Sequence, residues 1–340
     1  MSQHGQSSFY GPLADPAADA GHLDHPPRMG FFTDTSVCIG CKACEVACKE
    51  WNGVPEDGIE LLGMSFDNTG MLGASSWRHV AFIEQERTLG HQDAGLSDLP
   101  TGPSGTRAAE EAVSRALPGA ERGGGDLGTA PVHLGFPSFE LPGAATGAES
   151  RSEFRWLMSS DVCKHCTHAG CLDVCPTGAL FRTEFSTVVV QDDICNGCGY
   201  CVSGCPYGVI DRRPGDGRAW KCTLCYDRLR GNLEPACAQA CPTDSIQFGP
   251  LDELRERAAR RVDELHEAGV PEARLYGHDP EDGVGGDGAF FLLLDDPEVY
   301  GLPPDPVVPT RDLGQMWRYA GIAATALLAA SAAVFARGER

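Results

Sequence analysis

The sixteen cysteines of this 340-residue chain fall into four groups of four, and none lies outside a group. The first and third groups have the spacing C-x2-C-x2-C-x3-C, the second C-x2-C-x4-C-x3-C and the fourth C-x2-C-x11-C-x3-C. A proline directly follows the second, third and fourth groups, where its missing N–H and fixed φ end the run. Loops of two residues let successive thiolates point towards one bound group and contact it from several sides.

The chemistry predicted by this spacing is iron–sulfur ligation. The run C-x2-C-x2-C-x3-C is a bacterial iron–sulfur pattern in which the fourth cysteine binds a different cluster from the first three. Four thiolates per cluster then give four [4Fe-4S] clusters for the 16 cysteines. Disulfides are disfavoured, because thiols so close in sequence rarely meet disulfide geometry and stapled scaffolds are typically short. Zinc is disfavoured because its sites rarely use three thiols at a three-residue pitch with a fourth and a proline beyond.

Composition and charge narrow the function class. The chain is 42% hydrophobic and contains 42 glycines and 24 prolines, which indicates a loop-rich fold whose clusters replace much of the core. The net charge of -21 argues against nucleic-acid binding. With every thiol committed to iron, no cysteine nucleophile remains, and we find no phosphate-binding loop or catalytic triad. His165 and His168 lie inside the second group, whose thiol count is complete, so we expect them to support ligands or lie at the surface.

Segments outside the cysteine groups are also distinctive. Residues 1–29 read as a flexible polar tail with no apolar stretch or basic lead-in, so we expect no secretory signal there. Residues 90–150 are rich in Gly, Pro and Ala, contain no cysteine and indicate a surface insertion. Residues 251–268 have helical apolar spacing with a stop at Gly269, and residues 288–294 read as a buried strand.

The C-terminal segment predicts a membrane span. From Tyr319 to Ala336 there are 18 residues without a charge, and about 1.5 Å per residue just crosses a hydrocarbon core. Trp317 and Tyr319 lie where an aromatic belt would, and Arg318 and Arg337 flank the apolar run. An alanine-rich soluble helix is the alternative, since alanine contributes little to insertion. Length and flanking residues favour the membrane.

The four groups in order, CIGCKACEVACKEWN, CKHCTHAGCLDVCPTGA, CNGCGYCVSGCPYG and KCTLCYDR…EPACAQACPTDSIQFG, resemble the iron–sulfur (beta) subunits of membrane-bound molybdenum or tungsten formate dehydrogenases. The resemblance covers residues 30–85 and 153–340. The cysteine pattern alone is shared with beta subunits of other molybdopterin oxidoreductases and some membrane hydrogenases, which is the alternative reading. The KACEVACKEWN stretch and the C-terminal helix favour formate dehydrogenase.

The resemblance implies an electron-transfer subunit without an active site of its own. Electrons would pass from a molybdopterin-type catalytic subunit that oxidises formate to a membrane subunit that reduces quinone. That membrane subunit would also supply the ligands of any haem b, because the C-terminal helix contains no histidine. The subunit would sit at the cell membrane through its single span, with the cluster domain on the extracytoplasmic side, carried there by a signal-bearing partner.

Ligand sharing is likewise implied by the resemblance, since spacing alone leaves the third group close to both the second and the fourth. The family pairs the first group with the fourth and the second with the third. Cluster 1 would take Cys38, Cys41, Cys44 and Cys241; cluster 2 Cys48, Cys222, Cys225 and Cys237; cluster 3 Cys163, Cys166, Cys171 and Cys205; and cluster 4 Cys175, Cys195, Cys198 and Cys201. Some relatives lack the cysteine at position 198 and carry a three-iron cluster; here Cys198 is present.

Together these observations predict an α+β fold with two ferredoxin-like modules, each holding two [4Fe-4S] clusters, and a C-terminal transmembrane helix. The predicted boundaries are a tail over 1–29, one module over 30–89 and 206–250, the insertion over 90–150, the other module over 151–205, a helix, strand and linker over 251–310, and a membrane anchor over 311–340.

Overall fold

A four-stranded sheet forms the centre of the fold. We describe it from a computed structural model, in which residues 13, 15–56, 66–67, 69–88 and 152–337 are described. From one edge to the other, the strands are Ile246–Pro250 (β8), Met29–Asp34 (β1), Ala289–Leu293 (β10) and Arg274–Tyr276 (β9). Strand β1 pairs antiparallel with β8 and parallel with β10, so segments more than 200 residues apart in sequence are neighbours in this sheet.

The two faces of this sheet serve different cores. Side chains alternate across a strand, and Phe32 and Phe290 face one side, where their stacked rings are 5.3 Å apart and pack on helix α7 (Leu251–Glu267). Phe31 and Ala289 face the other side and belong to the buried cluster that contains cysteines. The sheet therefore separates an ordinary apolar core from a thiol-lined one.

The helix and strand predicted for residues 251–268 and 288–294 are both observed. Helix α7 ends at Glu267, and Gly269 follows with a φ of +86°, the left-handed conformation that glycine adopts most readily at helix ends. Strand β10 is buried at all five positions. Because β10 lies between two other strands and against α7, its continuous apolar run has a covered surface on both faces.

A long hairpin connects the parts of the sequence that were assigned to different modules. Strands β2 (Arg78–Thr88) and β3 (Ser152–Val162) pair antiparallel without a break from Arg78↔Val162 to Thr88↔Ser152. The predicted insertion over 90–150 lies outside the described residues. The sequence on either side of it therefore meets at the end of the hairpin.

Short elements surround the cysteine groups. The helices are Ala43–Asn52 (α2), Gly170–Asp173 (α3), Tyr200–Ser203 (α4), Tyr226–Arg230 (α5) and Ala236–Gln239 (α6). Two small hairpins join Leu180–Arg182 (β4) to Val188–Val190 (β5) and Asp211–Arg212 (β6) to Ala219–Trp220 (β7). Helix α2 packs on α6, and α3 packs on α4. The first cysteine group thus lies against the fourth, and the second against the third.

The described part of the predicted N-terminal tail is attached to the fold. Asp15 caps a short helix, Pro16–Asp19 (α1), in which Ala17 is fully buried. His22 Nε2 lies 3.1 Å from the carbonyl oxygen of Arg182, and Arg28 donates to Thr167 Oγ1 at 2.7 Å. The sequence gives no apolar signal for this attachment because hydrogen bonds from polar side chains provide much of it.

The C-terminal helix stands apart from the other elements. Helix α8 (Leu313–Arg337) contains a candidate span of 23 residues, Leu313–Phe335, whose most apolar window of 18 residues has a mean hydropathy of 1.4 and no buried residue. Within the described ranges it is the one helix long and apolar enough to cross a membrane. Its apolar side chains, such as Leu328 and Phe335, are exposed to the surroundings instead of packing on the fold. The predicted span is therefore a candidate membrane helix.

The sheet predicts that alanine substitution has different effects on stability at two glycines that pair across β1 and β8, Gly30 and Gly249. A Cβ at Gly30 would lie 2.3 Å from the carbonyl oxygen of Gly288, whereas one at Gly249 would first meet Leu254 at an ordinary 3.9 Å. We expect Gly30→Ala to lower the free energy of unfolding by about 1–3 kcal/mol, the range for overpacked cores. Gly249→Ala should change it little. Unfolding midpoints of the anaerobic protein test this, and equal midpoints for the two variants would contradict it.

Candidate metal centre

Two cavities formed by residues 163–221 are each lined by four cysteines. The cysteines around the first cavity are Cys163, Cys166, Cys171 and Cys205, and those around the second are Cys175, Cys195, Cys198 and Cys201. Burial raises the pKa of the Cys201 thiol to about 11, and the other three cysteines of its cavity contribute to the increase. Both sets combine the second cysteine group with the third. They are the residues that the family resemblance assigns to clusters 3 and 4, and that assignment stays a prediction.

Tight loops turn these thiols towards a common centre. In the run from Cys195 to Cys201, Gly197 has a φ of +72°, and a Cβ there would lie 2.3 Å from the carbonyl oxygen of Gly217. In the first group, Gly40 has a φ of +64° and lies so close to Phe82 that a Cβ would meet its ring at 2.7 Å. Only glycine fits both positions without a shift of the surrounding atoms. The glycines in the two-residue loops therefore allow the tight turns that direct the cysteines towards a common centre.

The first and fourth groups form two further sets of thiols. Burial raises the pKa of Cys38, although hydrogen bonds from Gly40 and Ser245 oppose the increase, and neighbouring Cys241 and Cys41 add to it. Cys44 lies on α2 one turn before Cys48, and both are buried. These contacts bring together Cys38, Cys41 and Cys241, which are three of the four residues expected for cluster 1.

Cys48 belongs to the other set. Its pKa is raised by burial and then by Cys222, Cys237 and Cys225. Asn52 connects two members of this set, because its Nδ2 donates to the sulfurs of Cys48 at 3.8 Å and Cys225 at 3.7 Å. All four thiols expected for cluster 2 are therefore neighbours.

Interactions between the sets connect them one after another. Cys44 Sγ lies 3.2 Å from Ser160 Oγ, and Arg78 donates both to that hydroxyl and to Cys237 Sγ, so the first set adjoins the second. Cys222 has its pKa raised by burial and then by Cys163, which places the second set beside the first cavity. Cys171 of that cavity also interacts with Cys201 of the other cavity. Both exposed cysteines, Cys41 and Cys198, fall in the two sets at the ends of this series.

Comparison with known proteins agrees with this geometry. Two family models, each described as a 4Fe-4S dicluster domain, match residues 37–179 and 154–251. The formate dehydrogenase iron–sulfur subunit of Haemophilus influenzae is 33% identical over 84% of this chain and 72% of its own length. The nitrate-inducible formate dehydrogenase iron–sulfur subunit of Escherichia coli is 33% identical over 84% of this chain and 76% of its own length. This protein belongs to that family of iron–sulfur subunits.

A more distant relative places the family in a wider group. A subunit of the anaerobic dimethyl sulfoxide reductase of Escherichia coli is 27% identical over 68% of this chain and 77% of its own length. These relatives are electron-transfer subunits of molybdopterin oxidoreductases, so the expected resemblance and the expected electron-transfer role are confirmed. The fold combines two 4Fe-4S dicluster domains with mixed helices and strands and one candidate membrane helix.

The donor set of the subunit fits four [4Fe-4S] clusters. The 16 thiols supply four ligands per cluster, and the two dicluster domains account for two clusters each. Zinc with four thiolates at about 2.3 Å needs sulfurs only about 3.8 Å apart. Within the described residues, no three Cys, His, Asp or Glu side chains come close enough to share one metal ion. Each of the two cavities is lined by four cysteines, which is the number of ligands that a [4Fe-4S] cluster takes.

Metal binding also changes the protonation state of these thiols. Burial and mutual repulsion raise the pKa of Cys171 to about 12 and that of Cys44 to about 11, although Lys221 and Arg78 respectively oppose the increase. Both thiols would therefore be protonated at neutral pH in the metal-free protein. A coordinating metal deprotonates a thiol outright, so the subunit binds iron at the cost of releasing protons.

Two buried cations near the sulfurs were missed by the sequence analysis. Arg78 Nη2 donates to Cys237 Sγ at 3.3 Å, and its side chain is almost completely buried. Lys221 lines the first cavity, donates to the carbonyl oxygen of Cys222 at 2.9 Å and is also buried. Burial lowers the pKa of Lys221, but electrostatic interaction with the sulfur groups of Cys163 and Cys171 raises it above its usual value. The position of Lys221 directly before a ligand was a usable signal, whereas nothing in the sequence marks Arg78.

The two histidines of the second group differ in their surroundings. His165 is buried beside the first cavity, and its Nδ1 accepts a hydrogen bond from the backbone N–H of Val188 at 3.1 Å. Burial and nearby cations hold the pKa of His165 well below its usual value, so this ring is neutral. His168 is partly buried and packs against Gly285. His165 thus supports the loop that carries its neighbouring cysteines, as one of the two expected roles requires.

A buried carboxyl group also lies beside the first cavity, and sequence analysis did not identify it. Asp287 is fully buried, and its Oδ2 accepts a hydrogen bond from Tyr207 Oη at 2.8 Å. Burial raises the pKa of Asp287 to about 8, although the Tyr207 hydrogen bond opposes the increase. Burial also raises the pKa of the Cys166 thiol, with Asp287 as the next contributor. The carboxyl group of Asp287 therefore interacts electrostatically with Cys166, one of the four thiols that line the first cavity.

The exposure of the cysteines predicts the order in which they react with an oxidant and an alkylating reagent. Cys41 and Cys198 are exposed, whereas Cys163 and Cys222 are buried. Solvent access controls thiol oxidation and alkylation. We expect limited ferricyanide oxidation followed by alkylation and mass spectrometry to label Cys41 and Cys198 first. Denatured protein, in which all thiols should react alike, is the control. Labelling of Cys222 ahead of Cys198 would contradict the described exposures.

Proposed function

We propose that this subunit relays electrons from a formate-oxidising molybdopterin subunit to a membrane subunit that reduces quinone. The observation that carries the proposal is the order in which the four thiol sets adjoin one another, with the two exposed cysteines, Cys41 and Cys198, in opposite end sets. A relay needs this arrangement, because electrons must enter at one accessible end and leave at the other. A storage or structural site has no such need.

The ligand sets remain as the family resemblance implies, and the geometry supports them. We propose cluster 1 on Cys38, Cys41, Cys44 and Cys241, cluster 2 on Cys48, Cys222, Cys225 and Cys237, cluster 3 on Cys163, Cys166, Cys171 and Cys205, and cluster 4 on Cys175, Cys195, Cys198 and Cys201. The lining of the two cavities supports the last two sets. The packing of α2 on α6 and of α3 on α4 supports the division into two modules.

The protein's own residues hold, cover and polarise these sites. When bound, the clusters supply the one-electron redox chemistry that the side chains lack. Hydrogen bonds to sulfur come from the backbone N–H groups of Ala219 and Leu224, at 3.4 and 3.3 Å, and from the side chain of Asn52. Such donors favour the more negative, reduced state. Chemistry on formate would belong to the catalytic subunit.

The attachment of the anchor supports a direction for the relay. Just before α8, Thr310 Oγ1 donates to Asp173 Oδ2 at 2.6 Å, and a Cβ at Gly170 would meet Val308 at 3.1 Å. Both contacts are with α3, the helix that contains Cys171 and precedes Cys175. The anchor therefore starts beside the proposed clusters 3 and 4. Electrons would enter at cluster 1 and leave at cluster 4, next to the membrane.

Exposed apolar residues at both ends support docking of partners there. In the segment around Cys41, the side chains of Ile39 and Val46 are more than half exposed. Near Cys198, Ile194 and Tyr200 are also exposed. Large apolar side chains exposed beside a redox site are typical of interaction surfaces. We assign the Cys41 end to the catalytic subunit and the Cys198 end to the membrane subunit, which would provide the ligands of any haem b.

The proposed location is the cell membrane, through one span formed by α8. By resemblance, the cluster domain lies on the extracytoplasmic side. The alternative is the equivalent subunit of a membrane hydrogenase or another molybdopterin oxidoreductase. The dimethyl sulfoxide reductase subunit gives this alternative some support, but its identity to this chain is 27% against 33% for the formate dehydrogenase subunits. The identity of the large subunit that copurifies with the protein distinguishes the two.

Replacement of one terminal ligand tests the relay. The wild-type protein should contain about 16 iron atoms, four for each cluster. In the assembled complex, Cys198→Ser should perturb cluster 4 alone, so formate should still reduce the other three clusters while quinone reduction slows sharply. EPR after formate addition and quinone-reduction assays measure the two effects.

The matched control for this test is Ser203→Ala, on the same short helix as Cys201, which should leave both measurements unchanged. If Cys198→Ser instead prevents formate from reducing any cluster in a folded complex, the proposed direction is wrong. Stoichiometric zinc in place of iron in the wild-type protein would reject the relay itself.

The anchor is tested by removing it. Deletion of residues 311–340 should release the subunit, or its complex with the catalytic subunit, from membranes with its iron content intact. Leu327→Asp should weaken membrane attachment of the full-length protein, because an acidic residue near the centre of a span costs about 3 kcal/mol. Fractionation with and without detergent measures both effects. A full-length protein that is soluble without detergent or partner would show that α8 is not a span.

A further inference from the structure

Arg78 occupies the space between two of the thiol sets. It is the first residue of β2, and its side chain is 2% exposed. Its guanidinium carbon lies 4.8 Å from the centre of the Phe31 ring. Nη2 donates to Cys237 Sγ at 3.3 Å, and Nη1 donates to both the carbonyl oxygen and Oγ of Ser160 at 3.2 Å. The guanidinium is thus fixed by contacts on three sides.

The Ser160 hydroxyl extends this contact to a second set. Its oxygen lies 3.2 Å from Cys44 Sγ. Under the proposed ligand assignment, on which this inference rests, Cys237 binds cluster 2 and Cys44 binds cluster 1. Arg78 therefore contacts one cluster's ligand directly and the other's through a single hydroxyl group.

The charge of Arg78 has no carboxylate partner among the described ion pairs. A buried charge is costly unless an opposite charge compensates it. Arginine does not lose its proton in proteins, so neutralisation by deprotonation is not available. Arg78 donates to Cys237 Sγ and interacts electrostatically with Cys44, Cys222 and Cys48, all of which are thiolates when they bind metal. The compensating charge for this arginine is therefore the ligand shell of the two clusters.

We propose that Arg78 is a shared counter-charge that raises the reduction potentials of clusters 1 and 2 and weakens the repulsion between them when both are reduced. Each reduction adds one electron and one negative charge, and a fixed positive charge between the two sites favours both additions. No proton needs to move with the electron, because the guanidinium is charged throughout. Arg78 acts through the sulfur ligands and is a positioning residue for electron transfer.

Two substitutions separate the charge of Arg78 from its hydrogen bonds. Arg78→Gln removes the charge but keeps an N–H donor, whereas Arg78→Lys keeps the charge. Potentiometric titration of the purified complex, followed by EPR, gives the midpoint of each reduction step. We expect Arg78→Gln to lower the reduction equilibrium constants of two of the four clusters at least tenfold, about 59 mV per tenfold change for one electron. Arg78→Lys should recover most of this shift.

Two further variants control for position and burial. Arg182→Gln removes another buried arginine, whose hydrogen bonds go to the carbonyl oxygens of Ser186, Cys166 and Thr167 in the other module. It should leave clusters 1 and 2 at their wild-type potentials. Ser160→Ala breaks the link to Cys44 and should lower the potential of one cluster instead of two.

The outcomes distinguish this inference from the proposed function. Unchanged midpoints in Arg78→Gln with four clusters present would overturn the role of Arg78 and leave the relay standing. Equal shifts in Arg78→Gln and Arg78→Lys would also overturn it, because charge would not be the cause. If Arg78→Gln fails to assemble, the comparison of Arg78→Lys with Ser160→Ala decides: a wild-type-like lysine variant and a single shifted cluster in the alanine variant are required. A wild-type complex without four iron–sulfur signals would reject the proposed function itself.

Discussion

The burial of sixteen thiols is the constraint on which the rest of this structure depends. Many of these thiols have raised pKa values because they are removed from water and placed beside one another, as Cys44 and Cys171 illustrate. Thiolates in such surroundings need a strong positive charge, which iron supplies, so cluster binding and folding of the cysteine-rich core are coupled. The central sheet reflects this division, since Phe32 and Phe290 form a conventional core with α7 while Phe31 faces the thiols. One face of the sheet can therefore pack without metal, and the other depends on it.

Charge is distributed unevenly between the interior and the rest of the molecule. The net charge is -21, yet Arg78, Lys221 and Arg182 are buried close to the cysteines. This is the reverse of the usual preference for charges to remain in water. The physical reason is that thiolate-bound clusters are anionic, so cations near them are compensated in a way that cations elsewhere in a core are not. An acidic exterior around a core with buried cations is what a protein that stabilises several negative cofactors requires.

Sequence reasoning recovered the chemistry and the regular elements, and it missed what depends on tertiary contacts. The four cysteine groups indicated the cluster type and the family, and periodicity located α7 and β10 to within a residue or two. The ligand sets came from resemblance and stay a prediction, because the x2 spacing holds neighbouring thiols together without specifying the distant fourth one. Arg78 could not have been identified, since its role arises from the pairing of β2 with β3, which places it beside Ser160. The attachment of residues 15–28 was missed because polar groups provide much of it.

The pairing of β2 with β3 makes the geometry at the thiol end of the hairpin independent of the length of the loop that connects the two strands. Its two strands stay in register over all 11 residue pairs, and the last pair, Thr88 and Ser152, lies at the opposite end from Arg78. Whatever number of residues connects these two positions, the register at the thiol end is fixed by the strands themselves. The connecting residues 90–150 also contain no cysteine, so replacing them would remove no iron ligand. This makes the far end of the hairpin a natural point for fusing a reporter domain or for tethering the subunit to an electrode, with its redox centres undisturbed.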